Sequence, residues 1–104
     1  MLLSLFRSKS NEVQREADRK GLSLVTSIRG EGGRRGSILI RDLSSNGFRA
    51  MSLVRFRAGS DVVVEIPGAR EVEAKVEWTR SDRIGVRFKQ PIALTATLAA
   101  IGIA

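Results

Sequence analysis

Cysteine, histidine and tyrosine are all absent from this 104-residue chain, and proline occurs only twice. Each absence narrows the chemistry. Without cysteine there is no disulfide framework, thiolate zinc site or thiol nucleophile. Without histidine the commonest general base is gone, and only carboxylates, Lys and Ser/Thr remain for proton transfer or attack. That inventory suits a binding module rather than an enzyme, and no metal or cofactor is expected. Aromatic residues are scarce, with four Phe and one Trp. A barrel that stacks nucleic-acid bases needs more exposed rings than a core would leave over, so no DNA or RNA partner is expected. Long hydrophobic runs are missing too. Residues 1–6 are apolar, but Arg7 and Lys9 follow at once, which is unlike a secretory segment. The apolar stretch at residues 92–104 is well short of a membrane span. No membrane insertion is expected, and the default location is cytoplasmic.

What the chain has in excess is arginine. Fourteen of its eighteen basic residues are Arg, and the formal net charge is +7. Residues 1–60 hold twelve Lys/Arg against five Asp/Glu, whereas residues 61–104 hold six of each. The positive excess therefore lies wholly in the first part, which points to an anionic partner. Arginine is the residue suited to bidentate contact with phosphate or guanine.

After a polar segment, the pattern becomes that of strands. Residues 1–12 read as a flexible N-terminal segment and 13–104 as one domain. Residues 7–20 are expected to be mobile, because an isolated helix of that length is marginal in water. Residues 22–28 alternate. Gly30, Gly32 and Gly33 with Arg34 and Arg35 read as a hairpin loop. Further strands are predicted at 37–41, 48–53, 62–66, 71–78 and 84–88. The clearest period lies at 71–78, where Val72, Ala74, Val76 and Trp78 share one face, so Trp78 is expected in the core. Gly85 reads as a strand glycine at a close backbone approach. Pro91 opens a short helix over about 92–101. Six short strands with no helix between them predict a mainly all-β fold, a six-stranded antiparallel barrel with a mobile N-terminal arm and a short C-terminal helix. Leu94, Leu98 and Ile101 of that helix offer a surface for a partner protein or a homodimer contact.

Two motifs concentrate the chemistry. The first is Arg15-x-x-x-Arg19. The second, twenty-two residues on, is Asp42-x-Ser44-x-x-Gly47, in a turn between two predicted strands. Two arginines at this spacing lie ~13 Å apart in extended chain and ~6 Å apart on a helical turn. Either geometry suits a small anionic ligand with hydrogen-bonding rings, such as a nucleotide. The ordinary alternative for the arginines is a solvated surface, with Glu12, Glu16 and Asp18 as local partners. For Asp42, Ser44 and Gly47 it is a turn whose side chains satisfy nearby backbone amides and whose glycine supplies an unusual φ.

Together and in order, the two motifs resemble the signature of the PilZ domain family, and Val76-Glu-Trp78 followed by Ile84-Gly-Val-Arg-Phe88 resembles its closing hairpin. The resemblance implies a six-stranded barrel that serves as a receptor for cyclic di-GMP. It assigns Arg15 and Arg19 to the guanine edges and phosphates, Asp42 and Ser44 to guanine and phosphate from the barrel surface, and Gly47 to a close approach of backbone to ligand. The chemistry agrees: guanine offers O6 and N7 to arginine, and its N1–H and N2–H to a carboxylate. Closure of the arm on the ligand would then signal to an effector protein in trans, in processes such as motility or biofilm control. The competing reading is a PilZ-like protein-interaction domain that binds no nucleotide.

Overall fold

The computed structural model describes residues 20–102. Six strands follow one another: β1 (Lys20–Gly30), β2 (Arg35–Leu43), β3 (Gly47–Ser52), β4 (Asp61–Ile66), β5 (Arg70–Arg80) and β6 (Arg83–Phe88). A single helix, α1 (Leu94–Ala100), comes last. Every pairing is antiparallel, and the strands close into a barrel in the order β1-β2-β3-β6-β5-β4. This is the barrel and terminal helix that the alternation of the sequence predicts. The glycine loop after β1 tightens into a 3₁₀ turn at Glu31–Gly33.

Alternation builds the core. Ile28, Ile38, Ile40, Phe48, Ala50, Val62, Val64, Ala74, Val76, Ile84, Val86 and Phe88 all point inward and are buried. Each large aliphatic side chain removed from water contributes roughly 1.5–3 kcal/mol. Closure leaves two open ends, and different elements fill them. At one end, Phe56 from the β3–β4 loop lies on Gly30, where an added Cβ would approach its ring to 2.9 Å. At the other end, α1 packs across the β4–β5 turn. There Gly68 has φ +81, and a Cβ would meet the Ala96 carbonyl oxygen at 2.7 Å.

The helix starts two residues later than the sequence suggests. The Ile92 amide donates to the Ser45 carbonyl (2.8 Å) and so ties this segment to the β2–β3 turn instead. Leu98 is buried, and Leu94 packs against the core. Two of the three residues offered for a partner or dimer surface are therefore used to close the barrel. Thr97, on the same helix, is 0% exposed, and its hydroxyl has no hydrogen-bond partner among the described residues. A buried unpaired hydroxyl is destabilising by about 1–3 kcal/mol. Thr97→Val is thus expected to raise the melting temperature by about 4–8 °C for each kcal/mol recovered, as read by circular dichroism. A fall on substitution would mean that the hydroxyl has a partner.

On the outside, Arg29 reaches across β4 to Glu71, with its Nη1 2.8 Å from the carboxylate. The hydrogen bond from Arg29, and then its charge, hold the Glu71 carboxyl below the usual carboxylate range. The contribution is present above that range and is lost as pH falls through the lowered value. Both side chains are well exposed, so the effect on stability is small.

Candidate functional site

Two one-residue bulges decide what lies on the barrel's outer wall. By strict alternation, Asp42 would follow Ile38 and Ile40 into the core, and Trp78 would follow Ala74 and Val76. The β2–β3 register instead shifts between Ile40 and Asp42, and the β5–β6 register shifts between Val76 and Trp78. A slip of one residue exchanges the two faces of a strand. Asp42 and Trp78 both turn outward, and Leu43 takes the buried position. The expectation that Trp78 lies in the core is thereby corrected, since it is 40% exposed.

The bulges also bring these residues into line. Asp42 pairs with Arg49, Arg49 with Gly85, and Gly85 with Trp78. One row across four strands thus reads carboxylate, guanidinium, glycine, indole. Arg49 Nη2 lies 2.5 Å from Asp42 Oδ2. Gly85 forms the floor beneath the indole, because a Cβ there would sit 2.2 Å from Trp78 Nε1. The close approach at this glycine is made by the indole side chain and not, as the sequence suggested, by backbone. One step toward the helix end, Arg87 on β6 faces Glu77 at 3.8 Å. A cavity of about 300 Å³ opens over the row, lined by Asp42, Ser44, Gly47, Arg49, Trp78 and Arg87 among others. Within it are two carboxylates, Asp42 and Glu77, two guanidinium groups and an aromatic face.

The β2–β3 turn forms one rim of the cavity. The Ser44 amide donates to the Gly47 carbonyl (2.9 Å), and the Ser44 hydroxyl accepts from the Asn46 amide (3.2 Å). Phe88 N donates to the Asn46 carbonyl at 2.8 Å, fixing the turn to the end of β6. Gly47 is required here by packing rather than by an unusual φ. Its Cβ would lie 2.2 Å from the Val86 carbonyl oxygen, and Gly47 is not among the positive-φ residues. Asp42, Ser44 and Gly47 therefore share one cavity wall. Arg15 and Arg19 lie outside the described residues. The first described residue, Lys20, pairs with Leu43, so the chain enters the barrel beside Asp42 and Ser44.

Sequence reading missed Arg49, Arg87 and the outward Trp78. The signal was present for the tryptophan. Counting back from the short turn at Ser81 and Asp82 sets Trp78 opposite Gly85, and Gly85 alternates with the inward Ile84 and Val86.

The described residues thus form a small closed barrel with a charged, ring-bearing cavity on its outer wall. The PilZ domain family model matches residues 13–101. The chain belongs to the PilZ domain family. Among solved structures it is similar to the PlzA protein of Borreliella burgdorferi, determined in complex with c-di-GMP. The TM-score is 0.60 at 16% identity, with 86% of this chain and 43% of that chain covered. At this identity the likeness is one of fold, and the match spans less than half of that protein's chain. No curated protein sequence matches. Among the described residues, no helix is long and apolar enough to cross a membrane.

Proposed function

We propose that this PilZ domain is a cyclic di-GMP receptor whose N-terminal arm closes over ligand seated on the Asp42–Trp78 row and signals to an effector protein in trans. The observation that supports it most is the convergence of the Asp42/Ser44 turn, Arg49, Arg87 and Trp78 on one cavity beside the point where the chain enters the barrel. In this reading Asp42 accepts from the guanine N1–H and N2–H, and Ser44 meets a phosphate. Arg49 and Arg87 lie where they can take the O6/N7 edge or phosphate oxygens. Trp78 stacks on the purine, a contact worth about 1–3 kcal/mol. A cavity of about 300 Å³ suits one base with its sugar-phosphate, so the rest of the ligand is left for Arg15 and Arg19. These lie within five residues of Lys20, a span of at most about 18 Å. Ordering the arm only when ligand is present would make occupancy a change of shape.

Calorimetric titration with cyclic di-GMP, GTP and a single-stranded oligonucleotide tests the reading. Micromolar or tighter binding to cyclic di-GMP alone is the expected result. Trp78 is the chain's single tryptophan, so its fluorescence reports the site directly. Saturating cyclic di-GMP should quench and shift its emission, and Asp42→Ala should weaken the response by about tenfold or more. An emission spectrum unchanged by bound ligand would remove Trp78 from the site. The second reading, a protein-interaction domain without nucleotide, draws support from the Asp42 carboxylate being already engaged by Arg49. It predicts no heat with any of the three ligands.

A further inference from the structure

The charges of this barrel are sorted by wall. On β1, β2, β3 and β6, the outward positions include Arg29, Arg35, Arg41, Arg49, Arg83 and Arg87, against a single acid, Asp42. On β4 and β5 the acids Asp61, Glu65, Glu71, Glu73 and Glu77 outnumber the bases Arg70, Lys75 and Arg80. Arg29, Arg49 and Arg87 each face an acid, whereas Arg35, Arg41 and Arg83 have no acidic partner among the described residues.

The middle of the cationic wall is apolar. Val25 pairs with Leu39, Leu39 with Met51, and Met51 with Arg83, which makes a second cross-strand row next to the ligand row. Val25 is 70% exposed, and Leu53, just past the end of β3, is 92% exposed. On the outer face Val25 is flanked by Ser23 and Ser27, and Leu39 by Ser37 on one side and Arg41 on the other. Among the described residues, the clefts on the ligand row, beside the β3–β4 loop and along β4 are not lined by Val25, Leu39, Met51 or Leu53. A convex apolar centre rimmed by unpaired arginines offers no shaped seat for a peptide or a base. It does suit a fluid surface that adapts to it, with the aliphatic groups in the headgroup layer and the guanidinium groups on acidic headgroups. The β4–β5 wall, where acids outnumber bases by five to three, lies away from that surface, so the uneven charge also orients the approach.

We propose that the β1–β2–β3 wall is a peripheral binding face for an anionic lipid surface. The inference is independent of the nucleotide reading, since the apolar row and its unpaired arginines lie outside the ligand cavity.

The test is co-sedimentation of the full chain with vesicles of phosphatidylcholine alone and of an equimolar mixture with phosphatidylglycerol. Pelleting with the mixed vesicles only, weakened by added salt, is the expected result. A basic side chain near an anionic leaflet is worth about fivefold in partitioning, so Arg35→Ala/Arg83→Ala should lower it roughly 25-fold. Leu53→Ser should lower it about fivefold through the apolar contact, and as a loop substitution it keeps the test available should the double variant not fold. Glu73→Gln, on the opposite wall, should not lower it. Equal pelleting with neutral vesicles, no pelleting at all, or pelleting unchanged in both variants would overturn the proposal. Tighter binding to a single-stranded oligonucleotide, lost in the same variants, would overturn it in favour of nucleic acid.

Discussion

Replacing Arg15 or Arg19 with alanine is expected to weaken cyclic di-GMP binding by more than tenfold, with the melting temperature nearly unchanged. The size follows from the kind of bond. A hydrogen bond to a charged group contributes about 1.5–3 kcal/mol, and each arginine can make two to a phosphate or a guanine edge. Lysine at either position keeps the charge but loses the planar fork, so Arg15→Lys and Arg19→Lys should recover only part of the affinity. Among the described residues the barrel closes and buries its core from β1 onward, so stability is expected not to follow affinity. Calorimetry on the four variants, with thermal melts alongside, reads both quantities. Full affinity in both alanine variants would leave the ligand, if bound, held by the barrel wall alone, and the proposed closing of the arm would fail.

Gly47→Ala should have the largest effect on the fold itself. The added Cβ would lie 2.2 Å from the Val86 carbonyl oxygen, 3.1 Å from Arg87 Cα and 3.2 Å from the Val86 carbonyl carbon. All three atoms are backbone, so no rotamer change relieves the overlap. Either β3 and β6 move apart, or Gly47 shifts and disturbs the turn that holds Phe88 and Ile92 through the Asn46 and Ser45 carbonyls. Overpacking of this kind costs about 1–3 kcal/mol and sometimes more. At about 4–8 °C per kcal/mol for a domain of this size, the melting temperature should fall by about 10 °C or more. Gly85→Ala is the informative contrast. Its Cβ would meet Trp78 Nε1, also at 2.2 Å, but that neighbour is a half-exposed side chain able to swing away. Its melt should fall less, while the tryptophan emission and its response to ligand change more. A Gly47→Ala protein melting within about 2 °C of the parent would contradict the close approach of β3 to β6.

The same bulges explain where sequence reading stopped. Alternation locates Ala74 and Val76 correctly because that stretch of strand runs without interruption. At Arg41 and Glu77 an extra residue enters one strand of a pair, and the count is off by one beyond it. No local preference marks these positions. They are set by how the two strands meet when the sheet closes on itself, which is a property of the pairing. Ser44 needs no such count, since its hydroxyl bonds within its own turn. Arg49 was overlooked because its position is ordinary for an outward strand residue until Asp42 is turned to face it.

The chain's order of apolar and polar residues, its glycine-marked turns and its two spaced motifs were enough to determine a six-stranded antiparallel barrel with a terminal helix, and to single out Asp42, Ser44 and Gly47 on one turn. Only the pairing of the strands decided which face Asp42 occupies, which residues join it and Trp78 in one row, and how the charges are shared around the wall. Side-chain direction in a strand depends on a count of residues that a single bulge resets, and a bulge exists only between two strands already paired.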